Sequence, residues 1–365
     1  MNYNELTFGF VGLGLIGGSI AKAIRLHYPD CRIIAYNPSP DTLEQALSEG
    51  VINTACSRID SSFLACDIIF LCAPVAHNAE NLKLLKPFLK ENAILTDIGS
   101  TKMDIHRHIL ENDLASDFIG GHPMTGSERT RYRNSRPELL ENAYYIIAPE
   151  QETPPEKVQL FEKLISSLGA LTLIIPCDIH DYCVAAISHL PHVVSAALVN
   201  LVRESDSPEG LMKMIAAGGF KDITRISSSS PVMWQQICMT NSENIVRLLD
   251  DYIASLSEVR SMITAHSSAE LYHFFDSARQ YRDSFQAAPS GPIQKQYIIA
   301  VNILDHPGGI AQIVDLLAER NVNIKNIGIT HNREYQEGVL RIELWNEAEQ
   351  TAASEILKKK GFLVI

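Results

Sequence analysis

The stretch FGFVGLGLIGGS, residues 8–19, constrains the fold of this chain more than any other feature. Gly12, Gly14 and Gly17 form a GxGxxG motif directly after an apolar segment, and Leu15 and Ile16 lead into a helical pattern. The glycines permit a tight turn, close approach to a pyrophosphate and close packing of the helix. The helix N-terminus adds unpaired N–H groups. The motif therefore predicts a βαβ unit whose first turn binds a nicotinamide dinucleotide.

The residue expected to contact the ribose of such a cofactor lies about 20 residues further on, at the end of the second strand. Asn37 occupies that position, in the sequence AYNPSP. An Asp there would bind the 2′-hydroxyl and repel a 2′-phosphate, whereas Asn lacks the charge. Because no Arg follows immediately to hold a 2′-phosphate, we expect NAD as cofactor, with NADP not excluded.

Residues 6–175 alternate short apolar runs with helical patterns. This alternation is typical of a mostly parallel sheet covered by helices on both faces. We therefore predict a Rossmann-like α/β domain over residues 1–176. Its expected strands are Thr7–Val11, Arg32–Tyr36, Ile68–Cys72, Ala93–Thr96, Phe118–Gly120, Tyr144–Ala148 and Leu171–Ile175.

Two further segments have a different character. Residues 177–283 lose the strand signals and show helical periodicity, which predicts an all-α domain for substrate binding and dimerisation. The stretch SFQAAPSGPIQKQ, which ends at residue 296, is small, polar and interrupted by Pro and Gly, so residues 284–296 are interpreted as a linker. Residues 297–365 then follow the order βαββαβ, which is the ferredoxin-like arrangement.

Composition excludes several classes of function. The net charge of −12 argues against nucleic acid or an anionic membrane surface as a partner. No CxxC pair occurs, and no basic segment followed by an apolar one opens the chain, which together indicate a cytoplasmic protein with reduced thiols. The apolar stretch 183–202 contains His, Pro and Asn and is interpreted as too polar for a membrane span. The seven cysteines are Cys31, Cys56, Cys66, Cys72, Cys177, Cys183 and Cys238.

Four more motifs, together with the glycine-rich turn, indicate a family. They are DIGSTK (97–102), GGHPMTGSE (120–128), HDYCVAAISHLPH (180–192), and GGFKDITRI (218–226) with MWQQI (233–237). Their Gly and Pro content places the second of them in a loop. In this order the motifs closely resemble the prephenate dehydrogenase family. The C-terminal DHPGGIAQI and NVNIKNIGI resemble an ACT regulatory domain.

The resemblance implies NAD-dependent oxidative decarboxylation of prephenate to 4-hydroxyphenylpyruvate and CO2, a step of tyrosine biosynthesis. In that reaction a base must accept the proton of the ring hydroxyl, and a neutral histidine suits the task. By resemblance the base is His122. Ser100 is similar to a family serine that hydrogen-bonds near this histidine and the nicotinamide. Lys102 either orients that serine or contacts substrate, unless it is a solvated lysine at a helix start.

The same resemblance assigns the substrate contacts. Arg225 matches a family arginine that receives a substrate carboxylate through charge-assisted bonds. His189 and His192, at i and i+3, share a helix face near the ring hydroxyl or the cofactor, with a buried structural histidine as the alternative. Two histidines alone make a poor metal site, so no metal is expected. Ser127 is assigned to the substrate loop, where the sequence departs from the family pattern after Glu128.

The ACT-like segment is expected to bind an amino-acid effector, tyrosine by end-product logic. Gly308 and Gly309 are predicted to leave N–H groups free at a helix N-terminus for an α-carboxylate. Ile310 and Asn323 would line the side-chain pocket if two such domains pair. A purely structural or dimerising module is the alternative. The apolar stretch 183–202 predicts a homodimer.

Three other functions remain open at this point. An arogenate dehydrogenase, or an enzyme that uses both substrates, would share every motif above. A β-hydroxyacid dehydrogenase shares the glycine-rich start and the helical second domain, but has no use for GGHPM. A non-catalytic amino-acid sensor would not need His122, Ser100 and Arg225.

Overall fold

The computed structural model describes residues 2–126, 130–285, 297–303, 306–330 and 338–364. These residues form two compact units, Met1–Ser268 and Ala269–Ile365, which are considered separately below. The predicted linker falls almost wholly on residues 286–296, which lie outside the described part of the chain. Ser127 lies outside it as well.

The first unit is built on an eight-stranded sheet of order β3-β2-β1-β4-β5-β6-β7-β8. All neighbouring pairs are parallel except β6 and β7, so the predicted mostly parallel sheet is confirmed. The strands are β1 (Thr7–Val11), β2 (Arg32–Tyr36), β3 (Thr54–Cys56), β4 (Ile68–Leu71), β5 (Ile94–Asp97), β6 (Phe118–Pro123), β7 (Tyr144–Pro149) and β8 (Leu171–Ile174).

Helices cover both faces of this sheet. The strands are buried on either side, with Phe10 and Phe70 stacked at 5.0 Å between ring centroids on one face. Ile34, Ile69 and Leu95 pack on the opposite face. Near-continuous apolar strands follow from burial on both faces. The helices between the strands are α1 (Leu15–His27), α2 (Pro40–Ser48), α3 (Val75–Leu85), α4 (Met103–Glu111) and α5 (Pro155–Ser167).

Two strand assignments from the sequence need correction. Strand β3 was missed because its three residues are too few to show a period of two, although Thr54 pairs with Ile34. Strand β6 does not end at Gly120 but continues to Pro123, so GGHP is strand rather than loop. The described pairing of β6 with β5 stops at Ile119, while pairing with β7 continues to Pro123. A proline is tolerated there because its missing N–H faces no neighbouring strand.

The rest of the first unit is helical, as predicted. The helices are α6 (Cys177–Val184), α7 (Leu190–Ser205), α8 (Leu211–Ile215), α9 (Gly218–Thr224), α10 (Pro231–Thr240) and α11 (Ser242–Thr264). Helices α6 and α7 are joined by a π-helical turn over Ala185–His189. Such turns add one residue to a helix and re-aim the side chains that follow.

The continuous run Cys177–Ser205 is long and apolar enough to cross a membrane by length and composition alone, contrary to the sequence interpretation. Its polar residues nevertheless contact the rest of this unit. Asp181 is fully buried and accepts hydrogen bonds from the backbone of Lys102 and Met103. His180 and His189 are also buried. The first half of the run is therefore a protein-packed helix, although Ile179 and Ile187 within it are exposed.

The second unit contains α12 (Ser268–Ser284), apart from its first residue, and the predicted ferredoxin-like segment. Strands β9 (Tyr297–Ile303), β10 (Ile324–Thr330) and β11 (Gly338–Leu344) form an antiparallel sheet of order β10-β11-β9, with helices α13 (Gly309–Ala318) and α14 (Glu347–Lys359). The predicted last strand is reduced to a bridge between Val364 and Val301, which places it beside β9. The order βαββαβ is confirmed, while most of the predicted turn EYQEG lies outside the described residues.

Helix α1 packs closely on two sides through consecutive glycines. A Cβ at Gly17 would lie 2.7 Å from the Cβ of Cys72, on the loop after β4. A Cβ at Gly18 would lie 2.7 Å from the Tyr132 ring and 2.8 Å from Ser135 Oγ. A Cβ at Gly14 would meet nothing within 4 Å. The double glycine therefore serves helix packing, whereas Gly14 leaves open space.

We predict that Gly18→Ala lowers the free energy of unfolding by about 1–3 kcal/mol, the usual cost of overpacking a buried contact. Chemical denaturation measures the effect. Gly14→Ala is the matched control, because its φ of −90° suits alanine and the added methyl group meets no protein atom. Equal stability of the two variants would show that the contact between α1 and Tyr132 yields without cost.

Candidate active site

The glycine-rich turn lies at the switch point of the sheet, where β1 separates β2 from β4. Gly12 has φ 103°, and a Cβ there would lie 3.0 Å from the backbone of Ala73 and Cys72. Gly14 faces open space. A cleft of 840 Å³ opens over this turn. These observations fit a dinucleotide whose pyrophosphate approaches the N-terminus of α1.

Asn37 lies in the same cleft, as predicted. Its Oδ1 accepts the N–H of Leu13 at 3.0 Å, and its Nδ2 donates to the carbonyl of Ser39 at 3.3 Å. The side chain thus holds the glycine-rich turn in place. One amide hydrogen is left to donate to a ribose hydroxyl.

Asp97, the last residue of β5, connects the motif DIGSTK to the motif GGHP. It is fully buried. Its Oδ2 accepts the N–H of Gly99 at 2.8 Å, and its Oδ1 accepts the N–H of Gly121 at 3.1 Å. A Cβ at Gly121 would lie 2.5 Å from the Asp97 carbonyl and 2.6 Å from the hydroxyl of Tyr145. The glycine before His122 is therefore required by close packing.

Lys102 forms a buried ion pair with Asp97, and both side chains are fully inaccessible. Burial lowers the pKa of the Lys102 ammonium, and the neighbouring Asp97 carboxylate opposes that shift. The sequence interpretations of Lys102 as a substrate contact or as a solvated lysine are therefore wrong. An ammonium group that is enclosed and paired in this way reaches neither substrate nor solvent.

His122 is the first member of a chain of hydrogen bonds that crosses to α6. Its Nδ1 lies 2.8 Å from Nε2 of His180, and Nδ1 of His180 lies 2.8 Å from Oδ1 of Asp181. Asp181 in turn accepts the N–H groups of Lys102 at 2.7 Å and Met103 at 2.9 Å. These two N–H groups belong to the N-terminus of α4, which favours a negative charge.

This series of hydrogen bonds assigns the tautomers of the His122 and His180 imidazoles. The carboxylate of Asp181 requires a proton on Nδ1 of His180, which leaves Nε2 of His180 as an acceptor. His122 therefore donates from Nδ1, and its Nε2 keeps a free lone pair. Burial lowers the pKa of His122 well below its ordinary value of 6.5, and the nearby ammonium of Lys102 lowers it further. Together these effects make His122 a neutral base.

Sequence reasoning missed His180 and Asp181, although both lie in a quoted motif. It gave weight to the later pair His189 and His192 because their spacing of three residues suggested a shared face. The available signal was an adjacent His-Asp pair at the start of a helix. Only the packing of α6 on β6 shows that this pair forms the hydrogen bonds that lead to His122.

His189 is a buried structural residue, which corrects its assignment to substrate binding. Its Nδ1 lies 3.2 Å from Nδ2 of Asn241, which also donates to the Asp181 carbonyl at 2.8 Å. Burial lowers the pKa of His189 to about 4, so it stays neutral. Its side chain therefore joins the π-helical turn to the N-terminus of α11 through Asn241.

His192 and His189 both contact Trp234, His189 edge-on at 6.0 Å between ring centroids. The His192 ring stacks on the indole at 3.6 Å between centroids. Burial lowers the pKa of His192, and the nearby charge of Arg225 adds to this effect. The structure thus brings His192, Trp234 and Arg225 together. It also places Ser100 in the half-buried turn between Asp97 and Lys102.

Comparison with known proteins identifies the family. Residues 20–174 match the model of the prephenate dehydrogenase nucleotide-binding domain, and residues 176–277 match that of the prephenate dehydrogenase dimerization domain. This chain belongs to the prephenate dehydrogenase family. It is therefore an oxidoreductase with a nicotinamide cofactor, and the β-hydroxyacid dehydrogenase and sensor alternatives are set aside.

Individual relatives agree with this assignment. The prephenate dehydrogenase of Bacillus subtilis (strain 168) is 34% identical over 99% of this chain and 98% of its own length. That of Lactococcus lactis subsp. cremoris is 31% identical over 96% of both chains. The crystal structure of Aquifex aeolicus prephenate dehydrogenase with hydroxyphenyl propionate and NAD+ has a TM-score of 0.73 and 30% identity, covering 77% of this chain and 98% of that one.

We predict that Lys102→Met lowers the free energy of unfolding by about 3–5 kcal/mol, because it leaves the Asp97 charge buried without a partner. The double variant Lys102→Met with Asp97→Asn should recover much of that loss. Urea denaturation of both variants measures the difference. As a control, Lys90→Met breaks the partly exposed pair with Asp67 and should cost less than about 1 kcal/mol. A double variant no more stable than Lys102→Met would contradict the interpretation.

Proposed function

We propose that this enzyme oxidatively decarboxylates prephenate with NAD as its cofactor, and that His122 is the general base. The observation that carries the proposal is the chain from His122 through His180 to Asp181. It presents one unprotonated imidazole nitrogen at the carboxyl end of β6, where ligands of α/β sheets bind.

The reaction removes a hydride from C4 of prephenate, a proton from its C4 hydroxyl, and CO2 from C1. The nicotinamide, when bound, accepts the hydride. His122 accepts the hydroxyl proton at Nε2 as C4 becomes a carbonyl carbon. The C1–carboxylate bond then breaks, its electron pair makes the ring aromatic, and the C4 oxygen takes a proton back to give 4-hydroxyphenylpyruvate.

The surrounding residues support this step. When His122 takes a proton, its Nδ1–H remains bonded to His180, whose own Nδ1–H is held by Asp181. The buried carboxylate therefore stabilises the imidazolium without becoming protonated. Ser100 supplies a hydroxyl for hydrogen bonding beside the base. Arg225 binds a substrate carboxylate, and His192 stacked on Trp234 shapes the adjoining wall.

The choice of prephenate over arogenate, and of NAD over NADP, rests on different support. Three relatives that span nearly the whole chain are named prephenate dehydrogenases, one of them as a probable one, so arogenate is the less favoured substrate. NAD is supported by the complex of the Aquifex aeolicus relative and by the absence of an arginine directly after Asn37. We also infer a homodimer through the dimerization domain, acting in the cytoplasm.

The test is a steady-state assay at 340 nm that crosses prephenate and arogenate with NAD and NADP. We expect turnover of prephenate with NAD. His122→Asn should lower kcat by about 100-fold or more, the usual contribution of a general base, while the Kd for the cofactor changes little. No turnover of prephenate by folded protein would contradict the function, and a wild-type kcat in His122→Asn would contradict the role of the base.

The pH profile gives a second readout of the same prediction. Activity requires unprotonated His122, so kcat/KM falls as pH drops through its pKa. Because burial lowers that pKa, the acid limb should lie below pH 6.5. His122→Asn should lose the limb. His180→Asn should lower kcat while keeping a limb, since His122 is still present but is no longer held in one tautomer.

We further propose that residues 297–365 bind tyrosine and that tyrosine then inhibits the enzyme. Gly308 has φ 88° and caps α13, whose N-terminus is a seat for a carboxylate. The expectation that Gly309 leaves its N–H free is wrong, because that group donates to the His306 carbonyl at 3.1 Å. The carboxylate seat then consists of the next N–H groups of α13, beginning at that of the exposed Ile310. Asn323, which directly precedes β10, is exposed as well.

We expect a chain that ends at Pro289 to lose inhibition by tyrosine while the full-length enzyme keeps it. Inhibition requires tyrosine to bind the active and inactive states with different affinity. Titrating tyrosine against the two proteins in the prephenate assay measures this, with phenylalanine as the control ligand. Equal inhibition of both proteins would place tyrosine in the catalytic site instead.

A further inference from the structure

The segment 130–136, which follows the strand carrying His122, docks on the helix of the glycine-rich motif. Tyr132 is its anchor and is almost completely buried. The Tyr132 hydroxyl donates to Glu49 at 2.9 Å, and the ammonium of Lys22 lies 4.6 Å from the ring centroid. Gly18 packs directly beneath the ring. The ring of Tyr132 thus fixes the segment to α1. The ring can lie this close to the helix because residue 18 is a glycine.

Two more contacts hold the C-terminal side of this segment. Lys22 Nζ donates to the carbonyl of Ser135 at 3.2 Å, and the N–H of Arg136 donates to Ser19 Oγ at 3.0 Å. Ser19 and Lys22 lie on α1, one turn or more after the glycine-rich turn. Residues 132–136 therefore belong structurally to the nucleotide site, although they are more than 100 residues away in sequence.

Arg131 and Arg133 flank this anchor. Both are exposed, and both line the cleft that also contains Gly14 and Asn37. Neither forms an ion pair with any residue of the described ranges. Arg131 has φ 73°, a left-handed conformation that is costly for a side chain larger than glycine. The docking of Tyr132 holds the backbone there in spite of that cost.

The charges of the cleft indicate what the two arginines bind. The glycine-rich turn offers only neutral N–H groups to a ligand with two or three phosphates. The cleft also holds the carboxylates of Asp41 and Glu80, which suit ribose hydroxyls and repel phosphates. Arg131 and Arg133 bring two guanidinium groups to this cleft. A guanidinium group pairs with phosphate through two parallel hydrogen bonds.

We infer that Arg131 and Arg133 bind phosphate groups of the nicotinamide dinucleotide. The inference rests on the proposed function only in taking that dinucleotide as the ligand. The inference also changes the argument for NAD over NADP that was based on Asn37. The sequence favoured NAD because no arginine follows Asn37, but the fold brings two arginines to the same cleft from elsewhere. The phosphates available to them are the pyrophosphate of both cofactors and the 2′-phosphate of NADP.

The experiment measures Kd for NAD+ and for NADP+ by isothermal titration calorimetry, without substrate, in wild-type protein, Arg131→Gln and Arg133→Gln. Arg136→Gln is the matched control, because it removes the same charge from the same segment at a residue outside the cleft lining. We expect each cleft variant to weaken binding by about 5- to 30-fold. A loss for both cofactors identifies the pyrophosphate, and a loss for NADP+ alone identifies the 2′-phosphate.

Effects no larger than that of Arg136→Gln would overturn the inference while leaving the proposed function intact. Failure of the wild-type protein to bind either cofactor would overturn both. Since the substituted side chains are exposed and form no ion pair with any described residue, the melting temperature should stay unchanged, which separates lost binding from lost folding. In the prephenate assay the same variants should raise KM for the cofactor and leave kcat within about twofold, as expected for uniform binding.

Discussion

The active site depends on one buried carboxylate, that of Asp97. It binds the N–H of the residue before His122 and pairs with the ammonium of Lys102. The backbone N–H of Lys102 in turn holds Asp181, which orients His180, which orients His122. These contacts close a ring that begins and ends beside the base. Every member of this ring is buried or partly buried. Breaking any one contact would therefore leave an unsatisfied polar group, and this cost keeps the arrangement rigid.

The nucleotide site is built by a second set of contacts around α1. Gly17 brings the helix against the loop after β4, and Gly18 brings it against Tyr132. The segment after the base is consequently fixed to the helix that receives the cofactor. The segment after His122 and the cleft over the glycine-rich turn therefore share α1 as a scaffold, so that a change at α1 reaches both. This sharing gives a physical reason for two consecutive glycines where a nucleotide motif needs one.

Much of the fold followed from local pattern. Seven of the eight strands of the sheet were predicted, because apolar runs bounded by polar turns identify buried parallel strands. The errors have local causes as well. Strand β3 is only three residues long, and GGHP was assigned to a loop because its Gly and Pro content is typical of loops. The glycines of GGHP instead allow close contact with the carbonyl of Asp97 and the hydroxyl of Tyr145.

The sequence by itself determined the family, the domain types and the nucleotide motif, because each depends on residues adjacent in the chain, and it indicated His122 as the base that we propose. Only the tertiary structure decided which groups form hydrogen bonds that lead to His122. It buried Lys102 and His189, which the sequence had assigned to substrate, and it brought His180 and Asp181 to His122. It also carried Arg131 and Arg133 into the nucleotide cleft. The reason is that hydrogen bonding and charge pairing depend on distance in space, and residues 58 or 113 positions apart come within about 3 Å only through packing.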